Sequence, residues 1–217
     1  MHIVITGANR GIGLALTQRF KSAGHDVTAV CRKTSTELLN TSVEIKECVD
    51  VRDFEALEAV AKSIGEIDIL INNAGILYSD TLAEINFEKI QSQFEINTLG
   101  ALKVMLTLGN KVKSGGKIGI VTSRMGSIGD KTSGGQYGYR ISKAAANALG
   151  KSLAEDFRPR NTPVFLLHPG YVRTDMTEGR GLIETTDSAE GLYKILMNKD
   201  MANTGTFWHT NGDEIPW

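Results

Sequence analysis

The stretch HIVITGANRGIG, residues 2–13, joins a short apolar, β-branched run to a turn that contains three glycines. The run predicts a buried strand, and the residues that follow, LALTQRFKSAG at 14–24, have the periodicity of a helix. Glycines between a strand and a helix permit a sharp turn and let backbone N–H groups approach a phosphate. The stretch therefore predicts a strand–turn–helix unit of the kind that opens an α/β fold.

Short apolar runs alternate with helical segments along the rest of the chain. The predicted strands are residues 2–6, 26–31, 43–48, 67–72, 117–122, 163–168 and 205–210. The predicted helices include residues 14–24, 53–65, 91–112 and 142–157. This alternation forms βαβ units, whose right-handed crossovers place helices on both faces of a mainly parallel sheet. Because no linker, repeat or low-complexity tract interrupts it, we expect one doubly wound α/β domain over residues 1–217.

Composition narrows the classes of protein and partner. A chain of 217 residues with 41% hydrophobic content can bury a sizeable core. Its formal net charge of -1 gives no basic excess, so neither nucleic acid nor a membrane surface is expected as a partner. The two cysteines and four histidines lack the spacing of a zinc site or a redox pair, so no metal is expected. Without a basic leader or a long apolar run, the sequence predicts a soluble cytoplasmic protein.

The glycine turn is the first candidate binding site. Its spacing is G-x-x-x-G-x-G, which differs from the G-x-G-x-x-G dinucleotide fingerprint, and a plain tight connection would also use glycines. Its position between the first strand and the first helix favours binding of a cofactor pyrophosphate. The candidate residues in this turn are Gly7, Asn9, Arg10, Gly11, Ile12 and Gly13.

Charge beside the turn indicates which dinucleotide is bound. In NAD-binding sites an acidic residue at the end of the second strand accepts from the ribose 2′-hydroxyl, whereas an arginine accommodates a 2′-phosphate. Here the second strand ends in VCRK, residues 30–33, without a carboxylate. Arg10 and Arg32 supply two guanidinium groups for charge-assisted hydrogen bonds to a phosphate. The sequence therefore predicts NADP(H) as the cofactor.

Two more motifs follow predicted strands at the carboxyl edge of the sheet. Asp50 comes after the third strand, where a carboxylate can accept from the adenine amino group; a role in a turn or helix cap explains it equally well. NNAG at 72–75 follows the fourth strand, and its small residues either let the backbone approach the adenosine or form an ordinary loop. The candidates from these motifs are Asp50, Val51, Asn73, Ala74 and Gly75.

The segment YRISK places Tyr139 four residues before Lys143, so the two side chains share one face of a helix. Hydride transfer to a carbonyl requires a proton donor, and a nearby ammonium favours the phenolate, so we expect Lys143 to lower the pKa of Tyr139. Ser123, after the fifth strand, supplies either a hydroxyl for the substrate oxygen or a turn cap. Tyr137 is predicted in the loop before the helix, where it lines the pocket mouth. A lone Y-x-x-x-K is common by chance.

Seven motifs stand in the order found in one family. They are TGANRGIG at 6–13, DV at 50–51, NNAG at 72–75, Asn97 in EINTLG, Ser123 in VTSRMGSIG, YRISK at 139–143 and PGYVRTDM at 169–176. In this the sequence resembles the short-chain dehydrogenase/reductases over essentially its whole length. The resemblance implies a Rossmann-type fold and a catalytic tetrad of Asn97, Ser123, Tyr139 and Lys143. It also implies cofactor contacts from Tyr139, Lys143, Pro169, Gly170, Val172 and Thr174.

The resemblance also assigns roles within the tetrad. Tyr139 is the acid or base, Ser123 orients the carbonyl, and Lys143 binds the nicotinamide ribose while lowering the tyrosine pKa. Asn97, in a locally distorted helix, holds a water of the proton relay. More narrowly, SRMGSIGDKTSGGQYGYRISKAA and GTFWHTNGDEIPW resemble the branch that contains C-factor proteins and sniffer-type carbonyl reductases. The segment between Ser123 and Tyr139 is lengthened through DKTSGG at 130–135, as in that branch.

This branch implies an NADPH-dependent oxidoreductase that reduces a small ketone, aldehyde or quinone. The alternative is a C-factor-like signalling protein in which cofactor binding matters more than turnover. A sugar-nucleotide epimerase also uses Y-x-x-x-K, but the carboxyl-terminal portion leaves no room for its separate substrate domain. Members of the superfamily usually pair through the helices equivalent to 91–112 and 138–157, so we expect a homodimer or homotetramer. In the alternative, a monomer, the alanine face SKAAANALGKSLA packs on its own sheet.

Overall fold

All seven predicted apolar runs form strands in the computed structural model, which describes residues 1–217. The strands are β1 (His2–Thr6), β2 (Asp26–Val30), β3 (Glu44–Lys46), β4 (Ile67–Asn72), β5 (Val112–Val121), β6 (Val164–His168) and β7 (Thr206–His209). The helices are α1 (Gly11–Ser22), α2 (Thr36–Leu39), α3 (Phe54–Ser63), α4 (Phe87–Phe94), α5 (Ala101–Leu108), α6 (Tyr137–Asp156) and α7 (Thr185–Asn198).

The strands form one sheet in the order β3-β2-β1-β4-β5-β6-β7, and every neighbouring pair is parallel. The chain builds outward from β1 to β3 and then returns to place β4 on the other side of β1. The strand order therefore reverses between β1 and β4. In open α/β sheets ligands bind in the crevice outside the carboxyl ends of the strands at such a point.

Successive side chains of a strand point to opposite faces of the sheet. Because the buried strands carry apolar side chains on both faces, helices cover both faces. Leu70 of β4 belongs to a core of 21 buried residues that also includes Leu57 of α3, Val104 of α5 and Leu153 of α6. The flanking Ile69 and Ile71 belong to a second core of 20 buried residues, which includes residues of α1 and α7. Two cores of nearly equal size confirm the predicted doubly wound, Rossmann-type α/β fold in a single domain.

The predicted helix over 91–112 differs most from the structure. The helical segment begins earlier, where the Asn86 side chain accepts from the backbone N–H of Lys89. It then passes from α4 into a π-helix, Glu95–Gly100, before α5, and β5 already starts at Val112. Gly100 lies tightly against Val51, since a Cβ atom there would be 2.7 Å from the Val51 Cγ2 atom. Contacts with a distant loop therefore accompany a change of helical pitch that local periodicity does not reveal.

The helix predicted over 142–157 also begins earlier, at Tyr137. The prediction that Tyr137 lies in a loop before the helix was therefore wrong. No helix of the structure combines the length and the apolar character that a bilayer crossing requires.

Candidate active site

A cleft of about 1070 Å³ runs along the carboxyl edge of the sheet. The loops after β1, β2, β4, β5 and β6 all contribute to its walls, as expected beside a strand-order reversal. The cleft brings together nearly all the candidate residues. They are Gly7, Asn9, Arg10, Gly11, Ile12, Gly13, Arg32, Asp50, Val51, Asn73, Ala74, Gly75, Ser123, Tyr139, Lys143, Pro169, Gly170, Val172 and Thr174. Asn97 does not line the cleft itself, although its neighbour Ile96 does.

The glycine turn is packed too closely for side chains at two of its positions. A Cβ atom on Gly13 would lie 2.2 Å from the Gly7 carbonyl oxygen, and one on Gly7 would lie 2.8 Å from the Ala74 Cα atom. Gly7 also has a φ of 66°, which favours glycine. The Asn73 side chain joins the two loops, since its Nδ2 donates to the carbonyl oxygens of Thr6 and Gly7 at 3.0 and 3.1 Å.

Helix α1 begins directly at this turn with unused donors. Its N-cap residue, Arg10, makes no side-chain capping bond, and the first turn contains no acidic residue. The backbone N–H groups at the start of a helix have no partner within the helix, and the helix dipole makes this end positive. Gly11, Ile12 and Gly13 line the cleft at this point. The turn therefore presents an electropositive backbone surface suited to a phosphate.

The two predicted phosphate-binding arginines differ in their surroundings. Arg10 forms an ion pair with Asp175 at 3.1 Å, which links the glycine turn to the segment after β6. The Arg32 side chain is 61% exposed, and its nearest carboxylate oxygen, on Asp50, is 4.0 Å away. The Arg32 guanidinium is therefore paired less closely with a carboxylate than that of Arg10.

Asp50 occupies a turn. Its carboxylate accepts from both the backbone N–H and the side chain of Arg52, at distances of 2.8 to 3.1 Å. These hydrogen bonds with Arg52 hold the pKa of the Asp50 carboxyl below its usual range. The sequence offered two roles for Asp50, an adenine contact and a turn or helix cap. The hydrogen bonds in the structure are those of a turn.

Tyr139 and Lys143 share one face of α6, as their spacing predicts. The Lys143 Nζ atom lies 5.8 Å from the centroid of the Tyr139 ring and donates to the Val121 carbonyl oxygen at 3.0 Å. Tyr139 and Lys143 are buried, with 8% and 4% of their surfaces exposed. Ser123 follows β5, and its hydroxyl accepts from the Met125 backbone N–H at 3.2 Å. All three residues line the cleft, and the part that they line is called here its reactive end.

Burial controls the proton affinities of this pair. It raises the pKa of Tyr139 to about 12, with the Ser123 hydroxyl acting in the opposite direction. Burial also lowers the pKa of Lys143 to about 8. Removing either group from water disfavours its charged form, so both shifts have one cause. The net shift of the Tyr139 pKa is upward because burial of the phenol dominates, so the lowering expected from Lys143 does not set the net direction.

Asn97 lies in the π-helix, which confirms the locally distorted helix implied by the resemblance. Its Oδ1 accepts from the Ile76 backbone N–H at 2.8 Å. Its Nδ2 donates to the Ile76 carbonyl oxygen and to the Ser142 hydroxyl, each at 2.9 Å. A Cβ atom on Gly75 would be 3.1 Å from the Asn97 Oδ1 and 3.5 Å from the Lys143 Nζ. Asn97 is therefore adjacent to the tyrosine–lysine pair, although it stands behind the cleft wall.

Sequence reasoning missed Asp80, which fixes the start of α6. The helix has Gln136 as its N-cap residue, in a left-handed conformation with no side-chain capping bond. The buried carboxylate of Asp80 supplies the missing acceptors, for the backbone N–H groups of Tyr137 at 2.5 Å and Gly138 at 2.9 Å. The only local signal was the lack of a capping residue before the helix. Tyr137 itself is not among the residues that line the cleft, contrary to its predicted place at the mouth.

A model of the family described as short chain dehydrogenase matches residues 1–182. The chain belongs to the short-chain dehydrogenase/reductase family. Across 99% of its length it is 36% identical to the 1-hydroxy-2-glutathionyl-2-methyl-3-butene dehydrogenase of Rhodococcus sp. strain AD45, of which it covers 99%. It is 37% identical to the C-signal protein of Myxococcus xanthus, over 70% of this chain and 94% of that protein.

Two solved structures of this family share the fold over the whole chain. Carbonyl reductase Sniffer of D. melanogaster matches with a TM-score of 0.91 and 27% identity, covering 100% of this chain and 99% of that one. An NADPH-bound carbonyl reductase from chicken fatty liver matches with a TM-score of 0.89 and 27% identity, covering 100% and 98%. These matches confirm the resemblance to the sniffer and C-factor branch, and the chain is an oxidoreductase of this family.

The packing of the glycine turn generates a stability prediction. We expect Gly13→Ala to lower the free energy of unfolding by about 1–3 kcal/mol, since the added Cβ atom meets a backbone oxygen that cannot move freely. Gly65→Ala is the matched control, because nothing lies within 4 Å of a Cβ atom at that position. Urea unfolding curves measure both variants. Equal stability of the two variants would contradict the tight packing at Gly13.

Proposed function

We propose that this protein is an NADPH-dependent reductase of small carbonyl compounds, namely ketones, aldehydes or quinones, with Tyr139 as the general acid. The observation that carries the proposal is a buried Tyr139 beside Ser123 in the cleft that the glycine turn also lines. A reductase needs a proton donor next to the site of hydride delivery. The same cleft holds both parts of such a site.

In this mechanism the bound NADPH supplies the hydride. The carbonyl oxygen lies against the hydroxyls of Tyr139 and Ser123. Ser123 donates a hydrogen bond that orients the oxygen and stabilises the charge that develops on it. Tyr139 transfers its proton to that oxygen. A phenol with a pKa near 12 is protonated at neutral pH, which is the form that a general acid requires.

Lys143 has two functions in the proposal. Its ammonium binds the nicotinamide ribose and offsets the negative charge that Tyr139 carries after donating its proton. A pKa near 8 also brings this group close to the pH of the solution, where it can exchange protons. Asn97 is adjacent to Lys143 across Gly75, which supports a role in holding a water that returns the proton.

The choice of NADPH rests on charge at the adenosine end of the cleft. Arg32 lies two residues after β2, is largely exposed and has its nearest Asp50 oxygen 4.0 Å away. No acidic residue takes its place at the end of this strand to accept from a ribose 2′-hydroxyl. The NADPH-bound carbonyl reductase of chicken fatty liver, which shares this fold, also supports NADPH here.

A second candidate function follows from the similarity to C-signal. In this alternative the protein acts in signalling, and binding of the cofactor matters more than its turnover. Substitutions at Tyr139 and in the glycine turn distinguish the two functions. A signalling activity would survive loss of the tyrosine hydroxyl but not disruption of the turn, whereas reduction would need both.

Three apolar side chains support the proposed homodimer. Leu99, Leu106 and Ile141 lie on the π-helix, α5 and α6, and between 39% and 59% of each is exposed. These elements correspond to the helices through which the superfamily pairs. Covering these side chains with a second copy would remove apolar surface from water.

The first kinetic prediction concerns the tyrosine hydroxyl. We expect Tyr139→Phe to lower kcat for carbonyl reduction by about 10²–10⁴-fold while NADPH still binds, because only the proton donor is lost. Tyr137→Phe is the matched control, since it removes a phenolic hydroxyl two residues away that does not line the cleft. NADPH oxidation followed by absorbance gives kcat, and quenching of protein fluorescence gives cofactor affinity. Unchanged turnover in Tyr139→Phe would refute the mechanism.

The second prediction concerns cofactor choice. We expect the unsubstituted protein to favour NADPH over NADH in kcat/KM, and Arg32→Ala to lower that preference by about tenfold or more through loss of charge-assisted hydrogen bonds. Lys33→Ala removes the next cation along the chain, which does not line the cleft, and serves as the control. Initial rates with both cofactors give the ratio. Equal efficiencies in the unsubstituted protein would exclude the NADPH assignment.

The third prediction concerns pH. Lys143 is charged below a pKa of about 8, so we expect kcat/KM for reduction to be level at lower pH and to fall as the pH rises through 8. Lys143→Arg keeps its charge throughout this range, so whatever activity it retains should lack that decline. Rates measured from pH 6 to about 10 test the difference. A decline of equal midpoint in both proteins would assign the titration to another group.

A further inference from the structure

Arg140 differs from the other arginines that line the cleft. Arg10, Arg124 and Arg173 each form an ion pair with a carboxylate, and Arg32 lies 4.0 Å from one. Arg140 donates only to uncharged acceptors, namely the carbonyl oxygens of Gly135 and Met125 and the hydroxyl of Ser133, at 2.9 to 3.5 Å. Its positive charge is therefore uncompensated within the cleft wall.

Arg140 also lies at the reactive end of the cleft. It follows Tyr139 in the first turn of α6, and both residues line the cleft. Its guanidinium holds the lengthened loop 130–135 against the helix through Ser133 and Gly135. This loop is the segment that marks the branch, and three of its residues, Asp130, Thr132 and Ser133, line the same cleft.

Hydrogen-bond donors outnumber acceptors at this place. A guanidinium has five N–H groups, and Arg140 uses three of them, which leaves two. The Ser133 hydroxyl accepts from Arg140, so its own O–H is free to donate. The Thr132 hydroxyl also lines the cleft, and its donor has no partner in the protein. The group of Arg140, Thr132 and Ser133, here called the Arg140 subsite, therefore offers donors without a matching acceptor.

Nearby titratable groups do not cancel this charge. The carboxylate of Asp130 accepts hydrogen bonds from the Nε and Nη2 atoms of Arg124. Asp80 accepts from the backbone N–H groups that begin α6 and is not among the residues that line the cleft. Burial lowers the pKa of His168 to about 3, so that imidazole is neutral, and Lys143 adds a second positive charge when protonated. The reactive end of the cleft thus carries a net positive charge.

We propose that the Arg140 subsite binds a carboxylate of the substrate, and that the substrate is an aldehyde or ketone that carries a carboxylate at a distance from its carbonyl group. The planar fork of a guanidinium matches the two oxygens of a carboxylate, and the hydroxyls of Ser133 and Thr132 supply further donors. The inference rests on the proposed reductase function, and it makes Arg140 a residue that determines specificity.

A matched pair of substrates tests the inference. We choose 4-carboxybenzaldehyde and its methyl ester, methyl 4-formylbenzoate, which differ in charge but present the same aldehyde. In the unsubstituted protein, kcat/KM from NADPH oxidation should favour the acid over the ester by about tenfold or more, as expected for a charge-assisted hydrogen bond. The acid's KM should also rise with ionic strength, whereas the ester's should not.

Three variants extend the test. Arg140→Gln should bring the acid-to-ester ratio close to one, and Arg140→Lys should give an intermediate ratio because it keeps the charge and loses the fork. Asp130→Asn should raise the ratio, since it releases Arg124 from its ion pair. Because the variants move the ratio in opposite directions, a general loss of structure cannot produce the pattern.

The outcomes separate this inference from the function on which it rests. Equal efficiency for acid and ester in the unsubstituted protein would overturn the carboxylate inference and leave the reductase function standing. An acid preference that persists unchanged in Arg140→Gln and Arg140→Lys would overturn the role of Arg140. Failure to reduce either compound, or any other carbonyl compound, would overturn the reductase proposal first.

Discussion

The side-chain amide of Asn73 bridges the two loops from which the cleft is built. Its Nδ2 donates to the carbonyl oxygens of Thr6 and Gly7, while the Thr6 hydroxyl accepts from the backbone N–H groups of Asn73 and Ala74. These bonds fix the turn after β1 against the loop after β4, where the strand order reverses. Gly13 packs on the same Gly7 carbonyl, so the start of α1 takes its position from this junction as well. A surface for phosphate therefore depends on hydrogen bonds between neighbouring strands.

The other end of the cleft depends on exclusion of water. Packing α6 against the sheet buries Tyr139 and Lys143 together, and the loss of solvent raises the pKa of the phenol and lowers that of the ammonium. Both shifts disfavour charge in the resting protein. The pair consequently holds a proton on the phenol and a lysine that titrates near the pH of the solution, which is the state a reductase requires.

Local sequence predicted the strands, the glycine turn and the facing of Tyr139 and Lys143, because each follows from neighbours along the chain. It did not predict the break in the segment 91–112, which involves Val51 and Ser142 from distant parts of the chain. Nor did it place the start of α6, whose cap is an aspartate 57 residues away from Tyr137. The upward net shift of the Tyr139 pKa was not predicted for a similar reason: spacing shows which charge is near, but burial is set by the whole fold.

The π-helix at Glu95–Gly100 makes the packing of this region depend on the number of residues in the segment as well as on their identity. A wider turn accommodates an additional residue, and successive residues of an α-helix are about 100° apart around its axis. Deleting one residue here would restore a regular helix and rotate α5 by that angle relative to α4. Val104 and Leu108 would turn out of the core while Asn97 left Ile76. The segment therefore fixes the rotation of α5 about its axis relative to α4 and to the residues at the reactive end of the cleft.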